Sequence, residues 1–123
     1  MLVQSGVPLA RPITIVVSAH EAMRRVGGFT ISYVSYLVAP EDSPVLVVEP
    51  DRAFWRVPIA LRSTTAHGQV GIIDVDAQTG AFDRSLDVAR SLFREACRLT
   101  GKIGADLDEA MSRWEPDTDE YPF

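Results

Sequence analysis

At 123 residues, with 46% hydrophobic and 24% charged side chains, the chain has the makeup of one globular domain around one modest core. A formal net charge of −5 argues against a nucleic-acid-binding surface, and no apolar run approaches the ~20 residues of a membrane-spanning helix. The start, MLVQSGVPLARP, has no basic stretch leading into an apolar one, and the single cysteine, Cys97, has no intrachain disulfide partner, so a cytoplasmic protein is expected.

The opening segment, with Gly6, Pro8 and Pro12 ahead of ITIVV, reads as extended chain or a short strand. Ser18-Ala-His-Glu21 then has the form of a capping box, the serine hydroxyl accepting from the Glu21 N–H while the carboxylate reaches back. Ala22, Val26, Phe29, Tyr33 and Leu37 recur at helical spacing and predict a helix over residues 18–38, kinked at Gly27-Gly28. The competing reading is a strand, because FTISYVSYLV is rich in β-branched and aromatic residues.

APEDSP is a turn, and three strand candidates follow: PVLVVE (44–49), AFWRVPIALR (53–62) and QVGIIDVDA (69–77). Pro50-Asp51-Arg52 closes a tight hairpin between the first two, and STTAHG joins the second to the third. Pro58 cannot donate to a ladder and so marks an edge or a bulge. Trp55, beside Phe54 and Val57, is expected to face the core.

Asp74 and Asp76 share one face at the end of the third strand, where they raise the question of a metal or catalytic carboxylate pair. The EF-hand pattern fails, since DVDAQTG has Gln78 at the fifth place, Thr79 at the sixth and Ser85 at the twelfth. A structural turn is the preferred reading. His20, His67 and Cys97 lack the local spacing of a zinc site, and no G-x-S-x-G, phosphate loop or HExxH is present. Gly27-Gly28 and the Gly68/Gly71 pair do not match a dinucleotide fingerprint. No catalytic residue, cofactor or metal is therefore assigned.

The combination W-x-V-P (Trp55, Val57, Pro58) and G-x-x-G-x-I-x-V-D-A-x-T-G (Gly68, Gly71, Ile73, Val75, Asp76, Ala77, Thr79, Gly80) resembles small PepSY-type domains and similarly built bacterial proteins of unknown function. The resemblance covers roughly residues 13–82. It implies a helix before a three-stranded antiparallel sheet whose last strand ends in the V-D-A-x-T-G turn. PepSY domains are linked to peptidase inhibition and are commonly exported or membrane-associated. This chain departs from them in lacking a signal or membrane segment and in adding a C-terminal helix and an acidic tail, and the family supplies no catalytic residue to carry over.

From Asp83 the pattern turns helical, with Leu86, Ala89, Phe93, Ala96, Cys97 and Thr100 facing the core and Gly101 and Gly104 at the helix end. Leu92 and Leu99 fall off that core face. Arg90, Arg94, Arg98 and Lys102, each four apart, predict a basic ridge that meets an acidic partner, or a solvated face paired with Asp87, Glu95 or the tail. Residues 69–123 hold twelve acids against six bases, and seven of the acids follow residue 102. The tail carries Asp117, Asp119 and Glu120 and then Tyr121 and Phe123, acids followed by aromatic anchors that suit a segment ordering on a partner.

These readings predict an α+β domain over residues 1–104, with a PepSY-like core at 13–82 and a C-terminal helix at 83–104 packed on the sheet or on a partner. Residues 105–123 form an acidic extension with at most one short helix before Pro116. The expected function is a non-catalytic protein-binding or regulatory module that self-associates as a dimer, with the ridge and tail as candidate contacts and no membrane or nucleic-acid partner. Three alternatives stand beside it. An antitoxin-like protein would place its acidic tail in a basic nuclease groove. A small-ligand binder would gather Trp55, Phe54 and Tyr33 around a pocket. An enzyme would use Asp74 and Asp76.

Overall fold

The computed structural model describes residues 13–64 and 66–115. In chain order these form helix α1 (Ala19–Tyr33), strands β1 (Val38–Pro40), β2 (Val45–Val48), β3 (Ala53–Arg62) and β4 (His67–Asp76), and helices α2 (Leu86–Leu99) and α3 (Gly104–Ser112). The fold is α+β, with one antiparallel sheet between an N-terminal helix and two C-terminal ones. Glycines and prolines ahead of Ile13 lie outside the described residues.

Helix α1 starts where its cap predicts. The Ser18 hydroxyl accepts from the Glu21 N–H at 3.1 Å. The other half of the box does not form, because the Glu21 carboxylate turns to Arg24 at 2.7 Å and Arg25 at 2.8 Å. Ala22, Val26, Phe29 and Thr30 bury the inner face. The helix ends at Tyr33, short of the residue 38 that periodicity suggests. Val34 and Ser35 N–H both go to the Thr30 carbonyl, and the Ser35 hydroxyl takes the Leu37 N–H at 3.0 Å. That local bond replaces the next helical turn. Leu37 still packs against the core, but it arrives from a turn, so the stripe overran the helix.

Strand β3 is central, with β4 on one side and β1 and β2 in succession on the other. The sheet therefore has four strands and a width of three, the extra strand being the short β1 that the helical stripe had hidden. Pro58 sits in this central strand, where a proline normally interrupts the ladder. Its N and C=O point toward β1, since Glu41 N–H donates to the Pro58 carbonyl at 2.9 Å and Arg62 N–H to the Leu37 carbonyl. The return bond from Pro58 cannot form, and the neighbouring strand leaves the ladder there, between Pro40 and Val45. Proline thus falls at a gap on one side and costs no bond on the other. The bulge lies next to it, between Ile59 and Ala60, where β4 carries an extra residue.

Ala53, Val57, Ile59 and Leu61 of β3 and Ile73 and Val75 of β4 bury their side chains on the face covered by the helices. Helix α1 lies over β1 and β3, and α2 lies over β4. Of Leu92 and Leu99, expected off the core face, Leu92 turns onto the sheet, while Leu99 stays 38% exposed with its side chain beside Gly68. Leu92 is 3% exposed and lies so near Gly71 that a Cβ there would stand 2.7 Å from its Cδ2. A Cβ on Gly68 would stand 3.0 Å from Leu99 Cδ1. The two glycines are a seat for α2. Helix α3 follows a Schellman turn, in which Lys102 N–H donates to the Cys97 carbonyl and Gly101, at φ 91°, N–H to that of Arg98. Its Ala110 and Met111 join the core, so the segment read as an acidic extension begins with packed structure.

Candidate interaction surface

The V-D-A-x-T-G segment closes the end of β4. Asp76 N–H donates to the Ala81 carbonyl, Gly80 N–H donates to the Asp76 carbonyl, and the Asp76 carboxylate accepts from Gln78 and Thr79 N–H at 2.8 and 2.9 Å. The Thr79 and Gln78 amides hold this carboxyl below its ordinary range. Gly80 has φ 78°, and a side chain there would also strike Arg25, whose Nη1 would be 2.5 Å from a Cβ. Asp74 lies on the same face but pairs across the strands with Arg56 at 3.2 Å. Each aspartate of the pair thus has its own protein partner. Among the described residues no group of three or more His, Cys, Asp or Glu side chains is placed to hold a metal.

Trp55, Phe54 and Tyr33 do not surround a pocket. Neighbours in a strand point to opposite faces. Trp55 is half-buried against the core and its Nε1 donates to the Val17 carbonyl at 2.7 Å. Phe54 lies on the opposite face and is buried, with the guanidinium groups of Arg52 and Arg56 at 4.7 and 5.4 Å from its ring centre. Tyr33 stacks on Phe29 at the end of α1. Cys97 is fully buried, and burial pushes its thiol up to about 11, the opposite of a nucleophile's setting.

The basic ridge is shorter than its spacing implies. Helix α2 ends at Leu99, and the turn at Gly101 carries Lys102 off the helix. Arg90, Arg94 and Arg98 remain exposed in line. Arg98 pairs with Glu95 at 2.9 Å, and Arg90 lies 6.0 Å from the ring centre of Trp114. Arg94 makes no ion pair among the described residues. The tail positions Asp117, Asp119, Glu120, Tyr121 and Phe123 lie outside the described residues.

What sequence reasoning missed is a groove of about 620 Å³ between β4 and the first half of α2. Its floor is Gly71 and Leu92, and its rims carry Ile72 on the strand and Asp87, Arg90 and Arg94 on the helix. The strand side is an open sheet edge. Ala77 N–H donates to the Ala53 carbonyl, so residues 71, 73 and 75, alternating with it, face β3, while Ile72, Asp74 and Asp76 face outward. The turn occupies Asp76. Ile72 and Asp74 keep outward N–H and C=O groups that no described residue takes. A hint was available in the sequence, since GQVGIIDVD contains neither proline nor lysine, although Asp74 and the bulge at Val70 shorten the stretch of edge that is open.

Comparison with protein-family models, with curated proteins and with solved structures finds no match to this chain. Among the described residues no helix is long and apolar enough to cross a membrane.

Proposed function

We propose that the chain is a non-catalytic protein-binding module that takes an extended segment at the β4 edge, under α2. The observation that carries this reading is the pair of outward backbone positions, Ile72 and Asp74, beside a groove with an apolar floor and charged rims. Strand addition draws its affinity from main-chain hydrogen bonds and its selectivity from the flanking side chains, and the edge and the groove offer these two things. The opposite edge is poor for this purpose. It is split into β1 and β2 and carries Pro40 and Pro44 beside the break.

The order of a helix, an antiparallel sheet and a closing turn at Gly80 supports a PepSY-like origin for residues 13–82, and the buried lone thiol supports a cytoplasmic setting. The experiment is capture from extract by tagged protein, comparing wild type with Ile72→Lys. Ile72 is 52% exposed, so the lysine leaves the fold intact while placing a charge on the edge. Capture by wild type that the variant loses supports the reading, and equal capture by both overturns it. A second protein lacking residues 116–123 tests the antitoxin-like alternative, which requires the acidic tail and not the edge.

A further inference from the structure

Resting on the edge reading above, we infer that the segment received by β4 is β4 of a second copy of this chain, in a dimer of two-fold symmetry. An isologous interface must be complementary to itself. The groove meets this condition in both backbone and charge.

The backbone comes first. Ile72 and Asp74 are the outward positions, with Ile73 between them facing β3. A two-fold axis beside Ile73 sets two β4 strands antiparallel, pairing Ile72 with Asp74 of the partner subunit and Asp74 with Ile72 of the partner subunit. Each pair exchanges both N–H and C=O groups, so the outward row is satisfied. The Asp76 turn at one end and the bulge beside Val70 at the other bound this short pairing region. On the open face the two Ile72 side chains become diagonal neighbours, which gives apolar contact to residues now 52% exposed.

The charges select the same occupant. Helix α2 runs antiparallel to β4, with Leu92 over Gly71 and Leu99 over Gly68. Along the groove, Asp83 in the turn before α2 and Asp87 in its first turn come at the start, Arg90 and Arg94 follow, and the one further acid, Glu95, is paired with Arg98. A two-fold rotation reverses this order, turning the acidic start of one helix toward the basic middle of the other. The acidic tail is the weaker occupant, because Asp83, Asp87 and Glu95 already line the groove and outnumber its two arginines.

The test is the mass of full-length protein by sedimentation equilibrium, for wild type, Ile72→Lys, Asp87→Arg, Arg94→Asp and the Asp87→Arg/Arg94→Asp double variant. The three altered side chains, Ile72, Asp87 and Arg94, are exposed in the single chain, so unchanged circular dichroism and melting temperature show that the fold survives. Wild type is expected to be dimeric at high micromolar concentration. Ile72→Lys should be monomeric, each single charge reversal should weaken dimerisation by roughly tenfold, and the double variant should recover most of that loss. A wild type that stays monomeric overturns the second copy and leaves the edge to another extended segment. A dimer indifferent to Ile72→Lys overturns the edge itself, and the proposed function with it. Single reversals without recovery in the double variant overturn the two-fold arrangement of α2.

Discussion

Gly71 and Gly80 are small for different reasons, and the difference is measurable. At Gly71 the backbone is ordinary and the constraint is Leu92, so Gly71→Ala lifts α2 off the strand and should cost about 1–3 kcal/mol in urea denaturation. Pairing it with Leu92→Ala should recover part of that cost, because the leucine that clashes is gone. At Gly80 the positive φ adds backbone strain to the clash with Arg25, and shortening Arg25 should relieve only the second. Asp76 is the other decisive residue of the turn that Gly80 closes. Its carboxyl is held below its ordinary value of 3.8, so its stabilising effect is complete above that pH and is lost as pH falls through the depressed folded value. Asp76→Asn keeps an acceptor for the turn and should flatten the acid side of a pH–stability profile. Ca²⁺, Mg²⁺ or Zn²⁺ should leave the melting temperature of wild type and variant unchanged, and a rise confined to wild type would make Asp76 a ligand.

At the scale of elements, α1 carries two glycines in unlike settings. A Cβ on Gly27 would touch Pro40 at 3.6 Å, whereas Gly28 has nothing within 4 Å and no positive φ. Gly28→Ala should therefore stabilise the protein by about 0.5–1 kcal/mol, read as a higher melting temperature, because it removes unfolded-chain entropy at no steric cost. Trp55 ties β3 to the segment before α1 through its bond to the Val17 carbonyl. The indole is only partly buried, so Trp55→Ala should cost about 3 kcal/mol, at the low end of the range for a large aromatic. Trp55→Phe should cost about 1 kcal/mol in the same denaturation assay, since it loses the hydrogen bond but keeps most of the contact.

For the whole molecule the informative probe is Cys97, which lies at the centre of the packing of α2 against the sheet. With the thiol buried and its pKa pushed up to about 11, native protein should react with a disulfide reagent only through opening of the core. The labelling rate should rise with urea along the slope of global unfolding. Fast labelling that ignores urea would mean that α2 opens by itself, and the groove beside it would then be no fixed feature. The dimer adds a second signature: Cys97 labelling should slow as protein concentration rises in wild type, but not in Ile72→Lys.

Much of the fold was legible because its signals are local. The Ser18 cap, the hairpin at 50–52, the three long strand runs, the Asp76–Gly80 turn and the positive φ of Gly101 each depend on a few neighbouring residues. The errors share a different origin. Leu37 matched a helical stripe that had already ended, Lys102 matched a ridge on a helix that had already turned, and Leu92 matched a solvent face. In each case residue spacing stood in for where a helix stops or which partner it meets, and those are settled by Ser35, Gly101 and the bare backbone at Gly68 and Gly71. The candidate site lies wholly on this second side. An open edge and a groove are relations between β4, β3 and α2, elements far apart in the chain, and no spacing within any one of them records which backbone groups remain unpaired. By itself the sequence determined the start of α1, the three main strands with their turns and the course of α2, because those signals are local, while tertiary packing alone decided that β4 is the exposed edge and that α2 lies beside it.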